Sequence, residues 1–570
     1  MPKSSTTFRP WAAPLPLLGV LLLALALRAW GLTWGLPSAT HYFSYHPDES
    51  RVLEAASSPT MNVFAGRLLP HFYRYGSLQL YLVCFANTLA ALAGAIDIVP
   101  KNYAVWYPQW AKMYLVGRCL TVGMGVGTVF AVYRIGERLW GRRAGLLAAL
   151  TLAVMPLHAQ HSHFLTVDVP ATFWAMLSLL WAVRLATGAP KPWRAALWAG
   201  VFAGLAAATK YNLALAVLPM LAAGLIPPAP NSGKDHPPTP NSGGVRGEEP
   251  VLSGSPPVNG VRGGEMIFVG IAAFVLAFFL ACPGAILEHA AFLRDLRFEA
   301  VHVQNTNDPT FRDTGSGFVY HVARNLDAGL GLPLLLLALV SVGYALYRRE
   351  RGDGLLAAFA LPYYVLISLA AVRYARYTIP LLPVLALWVG RIGADGSRLS
   401  RLALRRAAAV GGAAVLAWTL FAALWLIGPM AAADPRDRAY AWIQAHAPRA
   451  AVGFPTMPWF GTVPLSPYFS YYAPGVWRKT LTPGEAARIV YRGKDWDTSK
   501  RPPLIAVSEY ASADALRRQD PAAAQYFGML RADYALAASF DRTGLNGLRQ
   551  DLPHDMTYPS PALYLYQRRP

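Results

Sequence analysis

The chain has 570 residues, 54% of them hydrophobic and only 14% charged, with a formal net charge of +20. Soluble domains carry about 25% charged residues, and a bilayer span needs roughly 20 apolar residues in a row, which this chain supplies repeatedly. A soluble enzyme, a disordered chain and a disulfide scaffold are excluded, and because the apolar runs are continuous rather than alternating, so is a transmembrane β-barrel. What remains is a polytopic α-helical membrane protein. The positive charge lies mainly in short loops between apolar runs, which is the bias of cytoplasmic loops rather than a nucleic-acid signature. Cys84, Cys119 and Cys282 lie in or beside apolar runs and form no metal-binding pair.

A first apolar run, about 12–30, follows Lys3 and Arg9 and predicts an uncleaved span with its N-terminus inside. Further runs lie near 77–97, 113–134, 144–160, 169–187, 195–209, 211–226, 266–282, 330–346, 354–371, 377–392 and 407–428. The basic groups Arg138/Arg142/Arg143, Lys191/Arg194, Arg348/Arg349/Arg351 and Arg391 through Arg406 should all face the cytoplasm. They do so only if 77–97 fails to cross, so that run is a juxtamembrane element. About eleven spans remain, and the C-terminus lies outside.

Four regions follow. Residues 1–226 form an N-terminal membrane module with a first outer loop at 31–76 and the juxtamembrane element at 77–97. Residues 227–265, rich in Pro, Gly, Asn and Ser with PNSG and GVRG each repeated, form a disordered cytoplasmic linker. Residues 266–428 supply the remaining membrane helices. Residues 429–570 read as an extracytoplasmic α/β domain, with a helix at 434–448 and strands at 504–510, 534–540 and 562–568.

With the topology set by Lys and Arg in the loops, the other polar residues gather at the outer face. The first outer loop holds YHPDES (45–50), with adjacent Asp48 and Glu49 and His46 beside them. The next outer junction, HAQHSHFLTVDVP (158–170), holds His161, His163 and Asp168. ATKYN (208–212) places Lys210 between two short helices, and VRYARY (372–377) holds Arg373 and Arg376. Each has a plain structural alternative. Asp48–Glu49 suits a helix start, Asp168 suits an N-cap, and a cation at a span end can snorkel to headgroups. The histidines, as candidate ligands for a divalent metal, lack a fixed metal-binding spacing. Charges of both signs recurring at one membrane face nonetheless mark function. A carboxylate can take the proton of an acceptor hydroxyl while cations stabilise a leaving phosphate, which suits group transfer from a lipid-phosphate carrier. A secondary transporter of a polar or anionic solute is the alternative, although no internal repeat is visible.

The segments YHPDESRVLEA, the apolar stretch after FYRYGSLQLY (72–81), FLTVDVPATFW and GLAAATKYNLALAVLP resemble, in this order, the GT-C membrane glycosyltransferases. The resemblance is to the protein O-mannosyltransferase-like family (glycosyltransferase family 39) and to the lipid A aminoarabinose transferases, and it covers about residues 12–400. It implies an inverting transferase in the cell membrane that moves a sugar from a polyprenyl-phosphate donor to an acceptor hydroxyl at the extracytoplasmic face. The acceptor would be a lipid, glycan or protein, with membrane lipids as surroundings and no nucleic acid. By the family pattern Asp48 would be the leading catalytic carboxylate, Glu49 would stand beside it, and Asp168 would be the second acid. Lys210 would lie near the donor phosphate, to which the residues themselves add Arg373 and Arg376. Where those families carry Lys-Pro or His-Pro-Pro, this chain has Arg74–Tyr75–Gly76, so Arg74 is a further candidate phosphate contact.

Overall fold

The computed structural model of the protein describes residues 15–97, 103–225, 261–458, 460–467, 482–491, 493–541 and 552–570. The linker expected at 227–265 lies outside them except for its last residues. Among the described residues five helices are long and apolar enough to cross a membrane: Val105–Trp140, Asp168–Ala186, Gly263–Ala281, Ala375–Gly396 and one that begins at Leu402. Shorter apolar helices are Leu15–Ala29, Leu78–Leu92, Tyr211–Leu225 and Leu332–Arg348. The chain is a multi-pass helical membrane protein. Its apolar runs are less uniform than the sequence suggests. The Arg142–Val154 helix stops where Met155 turns extended before Pro156, and Tyr211–Val217 is a 3-10 segment leading into Leu218–Leu225. A proline has no N–H to continue a helix, so such breaks fall where the sequence places one.

Small residues let helices meet closely where no hydrophobic effect pulls them together. A Cβ on Gly200 would lie 2.0 Å from the Gly270 carbonyl oxygen, and one on Gly204 2.5 Å from that of Phe274, so Pro192–Thr209 packs backbone to backbone on Val261–Ala281. Gly76 does the same for the site: a Cβ there would lie 1.9 Å from the Ala208 carbonyl oxygen. Tyr211 reinforces this approach by donating to the carbonyls of Tyr73 (2.9 Å) and Tyr75 (3.0 Å). The end of the 31–76 segment is thereby fastened to the turn that carries Lys210.

Arg391, expected among the loop cations, is buried within the Leu382–Gly396 helix and pairs with Asp353 and with Glu350 (2.7 Å). These two acids also cap the start of Arg351–Ser368, so a charge that the sequence attributes to topology is committed to packing.

The C-terminal region builds a five-stranded sheet in the order β4-β3-β5-β7-β6. Its strands are β3 (Val452–Gly453), β4 (Ile489–Val490), β5 (Leu504–Ser508), β6 (Tyr534–Phe540) and β7 (Leu563–Arg568), while β1 (Met61–Asn62) and β2 (Arg67–Leu68) form a small hairpin within residues 31–76. β3 pairs in parallel with β4 and β5, and β7 runs antiparallel to β5 and β6. β5 is buried on both faces. Leu504 and Ala506 pack toward Ala439, Ile443, Leu563 and Leu565, whereas Ile505 and Val507 pack toward Tyr526, Met529 and Leu530, as the period of two requires.

The sheet is moored to the 31–76 segment through Pro435–His446 and the residue before it. Asp434 accepts from Trp34 Nε1 at 2.9 Å, Asp437 accepts from the Tyr45 hydroxyl at 2.7 Å, and the Arg436 guanidinium lies over the Tyr45 ring at 3.7 Å.

Candidate active site

Asp48 and Glu49 are neighbours with opposite surroundings. Glu49 opens the Glu49–Ala56 helix and is 0% exposed. Its Oε1 accepts from Arg118 Nε (2.8 Å) and the Leu165 amide (2.6 Å), and its Oε2 accepts from Arg118 Nη2 (2.7 Å) and the Ser44 hydroxyl (2.5 Å). Arg118 Nη1 in turn donates to the carbonyls of Leu32 and Trp34. Burial alone would push the Glu49 carboxyl up, but the charge and hydrogen bonds of Arg118 outweigh it and hold the group below the usual carboxylate range. Both Glu49 oxygens are committed to joining the 31–76 segment, the Tyr103–Trp140 helix and the junction before Asp168. The expectation that Glu49 works beside Asp48 as a catalytic acid does not fit this geometry.

Asp48 stands at the N-cap position of that helix, yet its side chain makes no capping hydrogen bond. Its amide donates to His46 Nδ1 at 3.2 Å. Burial pushes His46 down to about 4, so the ring is neutral and Nδ1 can accept. The Asp48 carboxylate faces Arg376, with Oδ2 3.4 Å from Nη2. The helix-start reading therefore gives way to a long-range ion pair.

Asp168 is the first residue of its helix rather than the N-cap, which is Val167. Its Oδ1 lies 2.6 Å from Lys210 Nζ. Lys210 is in an extended conformation between Pro192–Thr209 and Tyr211–Val217, and that break turns its side chain inward. At 16% side-chain exposure it is no headgroup snorkel.

The Tyr377 ring links the two pairs, with Lys210 Nζ 4.9 Å and the Arg376 guanidinium 6.0 Å from its centroid. Asp48, Asp168, Lys210 and Arg376 thus form one cluster of alternating charge around a tyrosine.

Arg373 is not part of it. Residues 372–374 are not helical, and the 3-10 turn begins at Ala375, so the three-residue spacing does not place Arg373 and Arg376 on one face. Arg373 Nη1 instead donates to the Thr314 hydroxyl at 2.7 Å. Arg74 lies over the Phe298 ring at 3.9 Å, at the edge of the His289–Val303 helix. The metal candidates do not assemble either. His163 places its two ring nitrogens against backbone carbonyls of Ala159 and Trp30 (2.9 Å each), and His46 and His161 both pack on Phe164. Among the described residues no three His, Cys, Asp or Glu side chains stand close enough to hold an ion.

Three residues of this site escape sequence reading. Arg118 looks like one more cation inside an apolar run. Asp555 lies far along the chain, in the turn His554–Met556, and its Oδ1 and Oδ2 accept the amides of Ala375 (2.9 Å) and Arg376 (3.0 Å). Glu299 sits in an amphipathic helix with nothing in its neighbourhood to distinguish it. Burial pushes its carboxyl up to about 7; Arg74, Lys210 and Arg376 oppose this and Asp48 adds to it, so all four charges lie around it.

The sequence model of the dolichyl-phosphate-mannose-protein mannosyltransferase family matches residues 113–235. That segment contains Asp168 and Lys210 but neither Asp48 nor Arg376. Among solved structures the chain is similar to ArnT from Cupriavidus metallidurans bound to undecaprenyl phosphate, at 13% identity over 96% of this chain and 97% of that one, with a TM-score of 0.46. It is also similar to the Archaeoglobus fulgidus oligosaccharyltransferase in complex with zinc and sulfate, at 14% identity over 93% and 72%, with a TM-score of 0.45. No curated protein matches the sequence. Over residues 113–235, therefore, the chain is similar to the dolichyl-phosphate-mannose-protein mannosyltransferases, in keeping with the resemblance that its motifs carry.

Proposed function

We propose that the chain is an inverting membrane glycosyltransferase that moves a sugar from a polyprenyl-phosphate donor to an acceptor hydroxyl at the extracytoplasmic face. The observation that carries this reading is the cluster itself: two carboxylates, each held against a cation that a phosphate would also attract, at the mouth of the membrane helices. Asp48 is the general base. Its carboxylate takes the proton of the acceptor hydroxyl as the acceptor oxygen bonds to the anomeric carbon from the face opposite the phosphate. The bond from that carbon to the phosphate oxygen breaks, and the electron pair leaves with the polyprenyl phosphate. Arg376 and Lys210 stabilise the charge that develops there, and Arg74 contributes from the edge of the site. Asp168 holds and aims Lys210. Glu49 acts through Arg118 by holding the loop that presents Asp48. Single displacement inverts the anomeric centre.

The orientation belongs to the same proposal: the active site and the sheet of β3–β7 lie outside, Leu78–Leu92 lies along the outer interface, and residues 227–265 are cytoplasmic. The interfacial placement of Leu78–Leu92 is what leaves the basic groups at Arg138, Lys191 and Arg348 on the cytoplasmic side. The test is transfer of radiolabelled sugar from a polyprenyl-phosphate donor by the purified protein, with Asp48→Asn as the paired variant. Transfer by wild type and none by Asp48→Asn is expected. Turnover near the wild-type rate in Asp48→Asn would remove the base from the mechanism.

A further inference from the structure

We infer that Asp555 is a positioning residue of the phosphate site, and that the C-terminal segment 552–558 is a strap that sets Arg376 against Asp48. The inference rests on the glycosyltransferase reading but concerns a residue and a segment which that reading does not use.

Four observations carry it. Asp555 is 0% exposed, and its two oxygens take the amides of Ala375 and Arg376, the first two residues of the turn Ala375–Leu381. Those amides begin a helical turn and have no partner within it, so the carboxylate determines where the turn starts. The Arg376 guanidinium then divides between two acids, with Nη2 3.4 Å from Asp48 and Nη1 3.9 Å from Asp555. Nη1, on the Asp555 side, makes no hydrogen bond among the described residues, so this face of the guanidinium meets Asp555 by charge alone.

The strap is anchored just after Asp555. Gln160 Nε2 donates to the Met556 carbonyl at 3.0 Å, Arg436 Nη2 donates to the Tyr558 carbonyl at 3.0 Å, and the Tyr558 ring meets His46 edge-on. Met556 is buried in the core of the membrane helices, so the contact is a built interface and not a surface touch. The neighbouring residues His554 and Thr557 line a cavity of about 710 Å³ together with Tyr510 and Asp514 and with Tyr320 and Arg324. Asp555 therefore reaches the Arg376 turn from a segment that also contacts the C-terminal region.

Charge alone predicts the opposite of positioning. Removing a carboxylate near a phosphate site makes the site more positive, so a purely electrostatic Asp555 would weaken anion binding and its loss would tighten it. A positioning Asp555 does the reverse, because Arg376 loses its station.

The experiment uses the full-length protein in detergent with farnesyl phosphate as the probe, at one fixed pH. Asp555→Asn is expected to weaken farnesyl phosphate binding about tenfold, the equivalent of one lost charge-assisted hydrogen bond, and to raise amide hydrogen exchange in residues 375–381. Asp555→Glu should retain part of the exchange protection. In an Arg376→Lys background Asp555→Asn should add little, because the group it positions has already lost its fork; a merely structural role would give additive losses. Unchanged or tighter binding in Asp555→Asn, or full additivity with Arg376→Lys, overturns the inference. Failure of the wild type to bind farnesyl phosphate overturns the functional reading and this inference with it. Loss of exchange protection with unchanged affinity overturns the inference alone.

Discussion

Replacing Glu49 by Gln and Asp48 by Asn should give opposite results although the residues are adjacent. The Glu49 carboxylate receives four donors, two on each oxygen. An amide keeps one accepting oxygen but presents N–H groups to Arg118 Nη2 and Ser44, where acceptors are needed. Arg118 is fully buried and would keep its charge without its partner. Breaking a buried pair from one side costs about 3–5 kcal/mol, a large share of a total stability of about 5–15 kcal/mol. Melting should fall by roughly 5–10 °C. Asp48 is 22% exposed and pairs with Arg376 at 3.4 Å, so Asp48→Asn should cost no more than about 1 kcal/mol while abolishing transfer. A thiol-reactive dye can report both, because Cys84 and Cys282 are buried and become accessible on unfolding. Replacing both partners, Glu49→Gln with Arg118→Met, should recover part of the lost stability because no charge is left stranded. A Glu49→Gln protein that melts like wild type yet transfers no sugar would refute this division and return Glu49 to the chemistry.

The two outer arginines should separate: Arg376→Lys weakens donor binding by about tenfold through loss of the bidentate fork, whereas Arg373→Lys leaves it unchanged, measured by titration of a polyprenyl-phosphate sugar. Asp168→Asn should lower turnover strongly, and Asp168→Asn with Lys210→Met should be no worse than the more damaging single change, because the two residues act as one unit. Glu299 is raised to about 7, so it is neutral below that pH and ionised above it. Its contribution to stability is full below the ordinary carboxylate range and is lost as pH rises through about 7. Affinity for the donor, a phosphodiester of constant charge, should fall over the same interval, and Glu299→Gln should flatten both profiles; a wild-type profile already flat between pH 5 and pH 8 would remove Glu299 from the site. In a background without native cysteines, a cysteine at exposed Ser499 should react with a membrane-impermeant maleimide in intact cells and one at exposed Lys191 should not, and the reverse pattern would invert the orientation.

The class of protein and the four members of the cluster were legible in the sequence because each rests on local information. An apolar run about as long as a bilayer is thick must form helix, since lipid offers its backbone no other hydrogen-bond partner. The strands expected at 504–510, 534–540 and 562–568 form as β5, β6 and β7 because short runs of this kind carry their strand preference locally. Asp48, Asp168 and Lys210 stand in motifs whose order along the chain carries the family resemblance. What the sequence left open was the partner of each charge. Asp48 and Glu49 read as a pair of equals until the packing of Tyr103–Trp140 puts Arg118 against one of them and leaves the other to Arg376. Arg373 and Arg376 read as one face until a turn that begins at Ala375 separates them, and Asp555, which takes the amides where that turn begins, comes from the far end of the chain. Span and strand formation depend on neighbours in sequence, but the role of a buried charge depends on which opposite charge or open dipole packing brings within a few ångströms, and only the tertiary structure decides that.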